Sequence, residues 1–309
     1  MLNVIDVVAA APDRSQFIAE VGPGLGLGPR DVQMFSRFLG YEEFRFDPDL
    51  TLDQMLREAE AKLALRNGFR PSDISILTYC HTLMSSGPVR HDEDGLLATY
   101  RRSGAESLSL TMNHCASGIS ALAALDAILP DDGLGVILVG DKAFHPTVRH
   151  IANTTIMGEA SAAVLVGRRP GRFRYLHGHT QHDGRFSLNS GRPDDDHLAG
   201  FDSFYIDFAV HSIKEALRRS LVRLEEIRWL LPHNANAASW RQIGQLLGAR
   251  KDQILMTSMA RLGHCFAADP FINLLDAIAT GQLRAHEKVM LVSIGLGATA
   301  SCAILEVTQ

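Results

Sequence analysis

Apolar and polar positions along this chain fall into alternating helical and strand-like stretches. Leu52 to Asn67 carry apolar residues at helical spacing behind an acidic start, which predicts a helix. Pro71-Ser72-Asp73 then leads into the strand-like run Ile74-Ser75-Ile76-Leu77-Thr78-Tyr79. The same order follows from Leu108: a strand-like run ends in His114-Cys115, an Ala/Leu-rich helix continues to Leu129, and Pro130-Asp131-Asp132-Gly133 stops it. Gly135 to Gly140 is an unbroken apolar run, as expected of a strand covered on both faces. Ala162 to Val166 is another, and the basic, glycine-bearing break Gly167-Arg168-Arg169-Pro170-Gly171 puts the boundary between halves at residues 1–169 and 170–309. The second half predicts helix Ile206 to Leu221, strand Trp229 to Leu231, helix Ala237 to Leu247, a helix around Pro270 to Thr280, and strand Lys288 to Ile294. Comparable order in both halves points to an internal duplication, although no sequence identity between them is visible. Alternating elements with buried strands predict a predominantly parallel α/β sheet. Gln181 to Gly200, rich in Asp, Gly, Ser, Asn and Arg, reads as a long surface loop.

The 309 residues suffice for two ordinary domains or one bilobal domain with a well-buried core. With 46% hydrophobic and 21% charged residues and a net charge of -5, the chain reads as globular, and nucleic acid and anionic membrane are disfavoured as partners. The apolar run Met1 to Ala11 is interrupted by Asp6, has no basic residue before it and is followed by Asp13, so it lacks the layout of a secretory signal. No later segment approaches membrane-spanning length, and a cytoplasmic location is expected. Cys80, Cys115, Cys265 and Cys302 are scattered without CxxC pairing, so neither disulfides nor a zinc knuckle is predicted. His177-x-His179-x-x-His182 is the densest histidine cluster. With Gly178, Asp183 and Gly184 beside it, a solvated strand end and no metal are expected.

Cys115 is the residue that most needs explaining. A thiol opening a helix lies among unpaired amides at the positive end of the dipole, which favours thiolate and offers N–H donors to a developing oxyanion. The plainer reading is a small buried side chain. His233 follows a short strand through Pro232, which fixes the chain's exit and holds the imidazole at a strand end. His114, adjacent to Cys115, is expected to point the other way and pack beneath the site or at a subunit contact. Cys265 is read as a small buried side chain.

Five segments together resemble the ketoacyl synthase III branch of the thiolase superfamily: Cys115-Ala116-Ser117-Gly118; Gly158-Glu159-Ala160-Ser161-Ala162-Ala163; Pro232-His233-Asn234-Ala235-Asn236; Gly263-His264-Cys265-Phe266-Ala267-Ala268; and Gly295-Leu296-Gly297-Ala298-Thr299. They follow the family's order from the neighbourhood of Arg45 to the C-terminus. The resemblance implies a thiolase-like five-layer αβαβα sandwich of two similar halves, the first carrying the nucleophile and the second both histidines. It makes Cys115 the acyl-accepting nucleophile and His233 a donor to the thioester carbonyl of a second substrate. It also pairs the backbone N–H of Leu296 with that of Cys115 as an oxyanion hole. Acyl-coenzyme A or an acyl-carrier thioester is implied as substrate, with no cofactor. A homodimer with the strand before Cys115 near the two-fold axis is implied too, or a heterodimer with a paralogue.

Three departures matter. His264 stands where these enzymes usually have asparagine, and imidazole can act as donor or base. The helix after Asn236 begins Ala237-Ala238-Ser239, where many relatives carry an arginine thought to dock acyl carrier protein, so that partner is left open. Met1 to Gly40 lacks the usual opening strand-and-glycine pattern, and Arg30 and Arg37 read as a solvated helix face rather than phosphate contacts.

The sequence thus predicts an acyltransferase working through acyl-Cys115, with decarboxylative carbon–carbon condensation in specialised or lipid metabolism first. Transfer to an oxygen, nitrogen or sulfur acceptor without decarboxylation is the alternative. From another class, a non-catalytic partner of an active paralogue is the competing expectation, opposed by retention of Cys115 and both histidines.

Overall fold

A computed structural model of the chain describes residues 1–82, 95–143, 146–151, 153–186 and 199–308. Its main sheet has nine strands: β1 (Asn3–Ala10), β2 (Ile76–Cys80), β3 (Glu106–Leu110), β4 (Leu134–Gly140), β5 (Ser161–Gly167), β6 (Phe173–Phe186), β7 (Ile227–Pro232), β8 (Lys288–Gly295) and β9 (Gly297–Val307). The order across it is β7-β8-β9-β6-β1-β5-β4-β2-β3. The principal helices are α1 (Leu52–Asn67), α2 (Leu96–Arg102), α3 (Ser117–Ile128), α4 (Phe201–Ser220), α5 (Ala237–Leu247) and α6 (Asp269–Ala279).

Strand order and direction recur on either side of the β1–β6 pairing. From β1, the neighbours β5 and β4 are antiparallel steps, and β4–β2 and β2–β3 are parallel. From β6, β9 and β8 are antiparallel steps and β8–β7 is parallel. The place corresponding to β3 is held by a single parallel bridge, Leu230 to Ile254. Among the described residues the main sheet therefore has three parallel pairings and five antiparallel ones, which corrects the expectation of a predominantly parallel sheet. Apolar runs such as Gly135 to Gly140 report that helices cover both faces, and burial on both faces carries no information about direction.

Side-chain alternation sorts these strands into layers. In β5, Ala162, Val164 and Val166 join one core while Ala163 and Leu165 join a second. In β8, Val289 and Leu291 join that first core, and Met290, Val292 and Ile294 a third. The first core lies between the two halves and takes in Ile119 and Leu122 of α3 with Phe271 and Leu274 of α6, so these helices form the central layer. The second core is closed by α1 and α2, the third by α4 and α5. The result is an α/β sandwich of helix, sheet, helix, sheet, helix. Each fully buried Leu, Ile or Val contributes about 1.5–3 kcal/mol, so the shared inner core binds the halves strongly.

Several elements differ from the sequence reading. The apolar run at the N-terminus is the central strand β1, and Asp6 within it is neutralised by Arg66 and Arg172 from distant segments. His177, His179 and His182 lie inside β6 rather than at its solvated end, and His179 is buried, because pairing with β9 from Phe173 to Phe186 overrides the local Gly and Asp signals. Of the stretch Gln181 to Gly200, the part through Phe186 is strand and residues 187–198 lie outside the described residues. Helix α4 begins at Phe201, a turn earlier than its apolar spacing suggested, and this puts the half-buried Tyr205 on a cavity wall.

Candidate active site

Cys115 sits in a tight turn between β3 and α3. The strand ends at Leu110, the His114 N–H donates to the Thr111 carbonyl at 2.8 Å, and the Ala116 N–H donates to that of Asn113 at 2.9 Å. His114 adopts φ 47°, a left-handed conformation that costs a non-glycine residue about 1–3 kcal/mol. The turn is held from the other half of the molecule: the Ser293 hydroxyl donates to the Cys115 carbonyl at 2.6 Å. Gly295 lies flat against it, since a Cβ there would stand 2.4 Å from the Asn113 carbonyl oxygen and 3.1 Å from the Cys115 nitrogen. Leu296, next in the chain, faces the cavity that also contains Cys115.

His233 emerges from the end of β7. Its carbonyl accepts the indole N–H of the fully buried Trp240 at 2.8 Å, and its Nδ1 accepts the Ile294 N–H at 3.3 Å. The ring proton therefore resides on Nε2, which points at the Tyr205 hydroxyl 3.2 Å away. Burial, reinforced by the nearby His264, holds the His233 pKa well below the usual imidazole range, so this ring is a neutral N–H donor.

His264 is set the opposite way. Its Nδ1–H donates to Asp269 Oδ2 at 2.5 Å, and its Nε2 stands 3.6 Å from Cys115 Sγ. Burial opposes charge on this ring, but the Asp269 carboxylate, helped by Cys115, outweighs it and lifts the pKa to about 10. Asp269 has no exposed surface and accepts three further N–H groups: Cys265 N–H at 2.8 Å, Asn234 N–H at 2.7 Å and the Asn234 amide at 3.2 Å. Asn234, Ser258 and Asn273 complete a closed buried network, in which the Asn234 amide that donates to the carboxylate is itself held. The His264 backbone is pinned too: its N–H donates to the Ile156 carbonyl at 2.8 Å, and its carbonyl accepts the Gly158 N–H at 2.9 Å. A Cβ on Gly158 would fall 1.7 Å from the Leu262 carbonyl oxygen. Gly158→Ala is expected to push the 262–264 segment away, cost about 1–3 kcal/mol in urea unfolding, and lower activity by more than that loss of folded protein explains.

Cys115, His233, His264 and Leu296, the four residues singled out from the sequence, thus converge on one cavity of about 750 Å³, and the two imidazole centroids lie 5.6 Å apart. Three further residues escaped the sequence reading. Asp269 looked like an ordinary helix start before Pro270. Tyr205 fell just before the predicted helix Ile206 to Leu221 and lies in the second turn of α4. His114, expected to point away from Cys115, lines the same cavity, because strand alternation has ended before it and its backbone is left-handed. Cys265 is fully buried, and Arg30 and Arg37 are exposed. Among the described residues, no three His, Cys, Asp or Glu side chains are grouped to hold a metal, and no helix is long and apolar enough to cross a membrane.

Residues 217–307 match the family described as 3-oxoacyl-[acyl-carrier-protein] synthase III, C-terminal. The chain is 27% identical over 164 residues to the beta-ketoacyl-[acyl-carrier-protein] synthase III of Baumannia cicadellinicola subsp. Homalodisca coagulata, covering 48% of this chain and 50% of that protein. Matches of this kind span about half the length of the curated relatives. In fold, the chain is similar over its whole length to ChlB3, described as an acyltransferase, with TM-score 0.82, 18% identity and 100% and 98% of the two chains covered. It is likewise similar to the 3-oxoacyl-[acyl-carrier-protein] synthase III of Aquifex aeolicus VF5, with TM-score 0.81, 17% identity and 99% and 100% covered.

Proposed function

We propose that the chain is a ketoacyl synthase III-like member of the thiolase superfamily, that it transfers acyl groups through a thioester on Cys115 and that its second step is decarboxylative condensation. The observation that carries this reading is the pair of imidazoles with opposite hydrogen-bond settings in the cavity of Cys115. Cys115 passes its proton to His264 Nε2, 3.6 Å away, and the sulfur attacks the carbonyl of an acyl-coenzyme A or acyl-carrier thioester while the backbone N–H groups of Cys115 and Leu296 take the oxyanion. The departing thiolate receives the proton held at His264 Nε2, and acyl-Cys115 remains.

A malonyl-type thioester then loses carbon dioxide. Its carbonyl oxygen becomes an enolate oxygen stabilised by the neutral donor on the His233 side and by His264, whose protonated form the Asp269 carboxylate favours. The enolate carbon attacks acyl-Cys115 and releases the sulfur. Supplying malonyl thioester to acylated protein and measuring carbon dioxide tests this: release should fall at least about 100-fold in His233→Ala and His264→Ala. Release that is unchanged in both variants contradicts it.

One observation favours a second reading. Asp269 fixes the proton of neutral His264 on Nδ1, so once Nε2 has served the leaving thiol it is a base facing the acyl-enzyme. That arrangement suits deprotonation of an alcohol, amine or thiol acceptor, and acyl product without carbon dioxide release selects it. The recurring strand order supports division into residues 1–169, with the nucleophile, and 170–309, with both imidazoles. The edge of β3, which pairs with no further strand among the described residues and where Leu108 and Leu110 are half-buried, suits pairing with a second copy of the chain or a paralogue.

A further inference from the structure

The hydroxyl of Tyr205 stands where the reading above needs a substrate oxygen. It lies 3.2 Å from His233 Nε2 and lines the cavity of Cys115. Because His233 Nδ1 is occupied by the Ile294 N–H, Nε2 is the donor and Tyr205 Oη the acceptor, which leaves the hydroxyl hydrogen free to turn toward the cavity. The ring is carried in the second turn of α4, with the Phe201 ring edge-on at 5.8 Å and the His233 ring edge-on at 6.3 Å. A hydroxyl that accepts an N–H bond is itself a stronger donor, since the two bonds polarise in the same sense. Burial pushes the phenol pKa far up, so the group keeps its hydrogen at any working pH.

We propose that Tyr205 is a catalytic residue of the second step: its O–H, backed by His233 Nε2–H, donates to the thioester carbonyl of the second substrate, and His233 acts through it as a positioning residue. The inference rests on the acyl-Cys115 reading and deepens its second half. No covalent bond to hydrogen is broken. As the carbonyl oxygen gains charge on loss of carbon dioxide, the Tyr205 hydrogen bond shortens, and it relaxes when the enolate carbon attacks.

Tyr205→Phe keeps the ring and removes only the hydroxyl, so the two steps can be read separately by intact mass after rapid mixing. With acetyl- to octanoyl-coenzyme A, acyl-Cys115 should form within about twofold of the unaltered rate, because that oxyanion faces backbone donors. On adding malonyl thioester, consumption of the acyl-enzyme should slow by about 100-fold, the size expected for one lost oxyanion donor. Tyr205→Phe combined with His233→Ala should be no slower than the slower single variant, because the two act in series. Unchanged consumption, an equal loss in both steps, or multiplied losses in the double variant overturns the proposal. Absence of acyl-Cys115 in the unaltered protein overturns the acyl-enzyme reading itself, and this inference with it.

Discussion

Asp269→Asn is expected to slow turnover by about 10³–10⁴-fold, the scale seen when a carboxylate that orients a catalytic imidazole becomes an amide. Four donors converge on the two Asp269 oxygens, so whichever way an asparagine side chain turns, its NH₂ meets two of them. If the amide nitrogen faces His264, the ring proton moves from Nδ1 to Nε2 and the base facing Cys115 is lost. The pH profile should move as well. With Asp269 present, a rate that needs protonated His264 stays level through neutrality and declines as pH rises through about 10. In the variant the burial that opposes charge is no longer outweighed, and the decline moves to the acidic side of the free imidazole value. A basic limb that does not move would separate Asp269 from His264 chemistry. The proton on His264 also adds to stability. Its folded pKa is raised, so this contribution is full below the free imidazole value and is lost as pH climbs through about 10.

The second large effect concerns stability. Lys142 and Glu159 form an ion pair at 2.7 Å with almost no exposed surface, and Glu159 also accepts the N–H groups of Asp47 and Ala143. Burial raises the Glu159 pKa and the Lys142 ammonium only partly offsets this, so the carboxylate depends on its partner. Lys142→Met should cost about 3–5 kcal/mol in urea unfolding, because it strands a buried carboxylate. Lys142→Met with Glu159→Leu should recover much of that loss, since exchanging both charges for apolar groups removes the unpaired one. A single variant as stable as the unaltered chain would show that water reaches Glu159. The pair matters to the site because Glu159 follows Gly158, whose N–H holds the His264 carbonyl.

Legibility in the sequence followed the range of the forces involved. Helix α1 runs from Leu52 to Asn67 as its spacing predicted, because its signals are local: Thr51 and Gln54 cap it reciprocally and Gly68 ends it at φ 67°. Helix α5 is equally local, with Asn236 capping Ser239 N–H at 2.7 Å. Strands β1 and β6 were hidden because Asp6 and the His177-to-Gly184 stretch look polar until their distant partners are known. The site divides in the same way. Cys115, His233, His264 and Leu296 announce themselves through neighbouring residues that resemble a known set. Asp269 is defined by an imidazole five positions earlier that only the turn at Phe266–Ala268 brings back to it. Tyr205 is defined by a ring from another element, and no periodicity on α4 sets it apart from Phe201 or Phe204.

Intact-protein mass after incubation with acetyl- to octanoyl-coenzyme A tests the acyl-enzyme claim most directly. The account predicts a mass increase equal to one acyl group from at least one donor, abolished in Cys115→Ala and discharged when the acceptor thioester is added. No adduct from any donor, or an adduct that persists without the Cys115 sulfur, contradicts it.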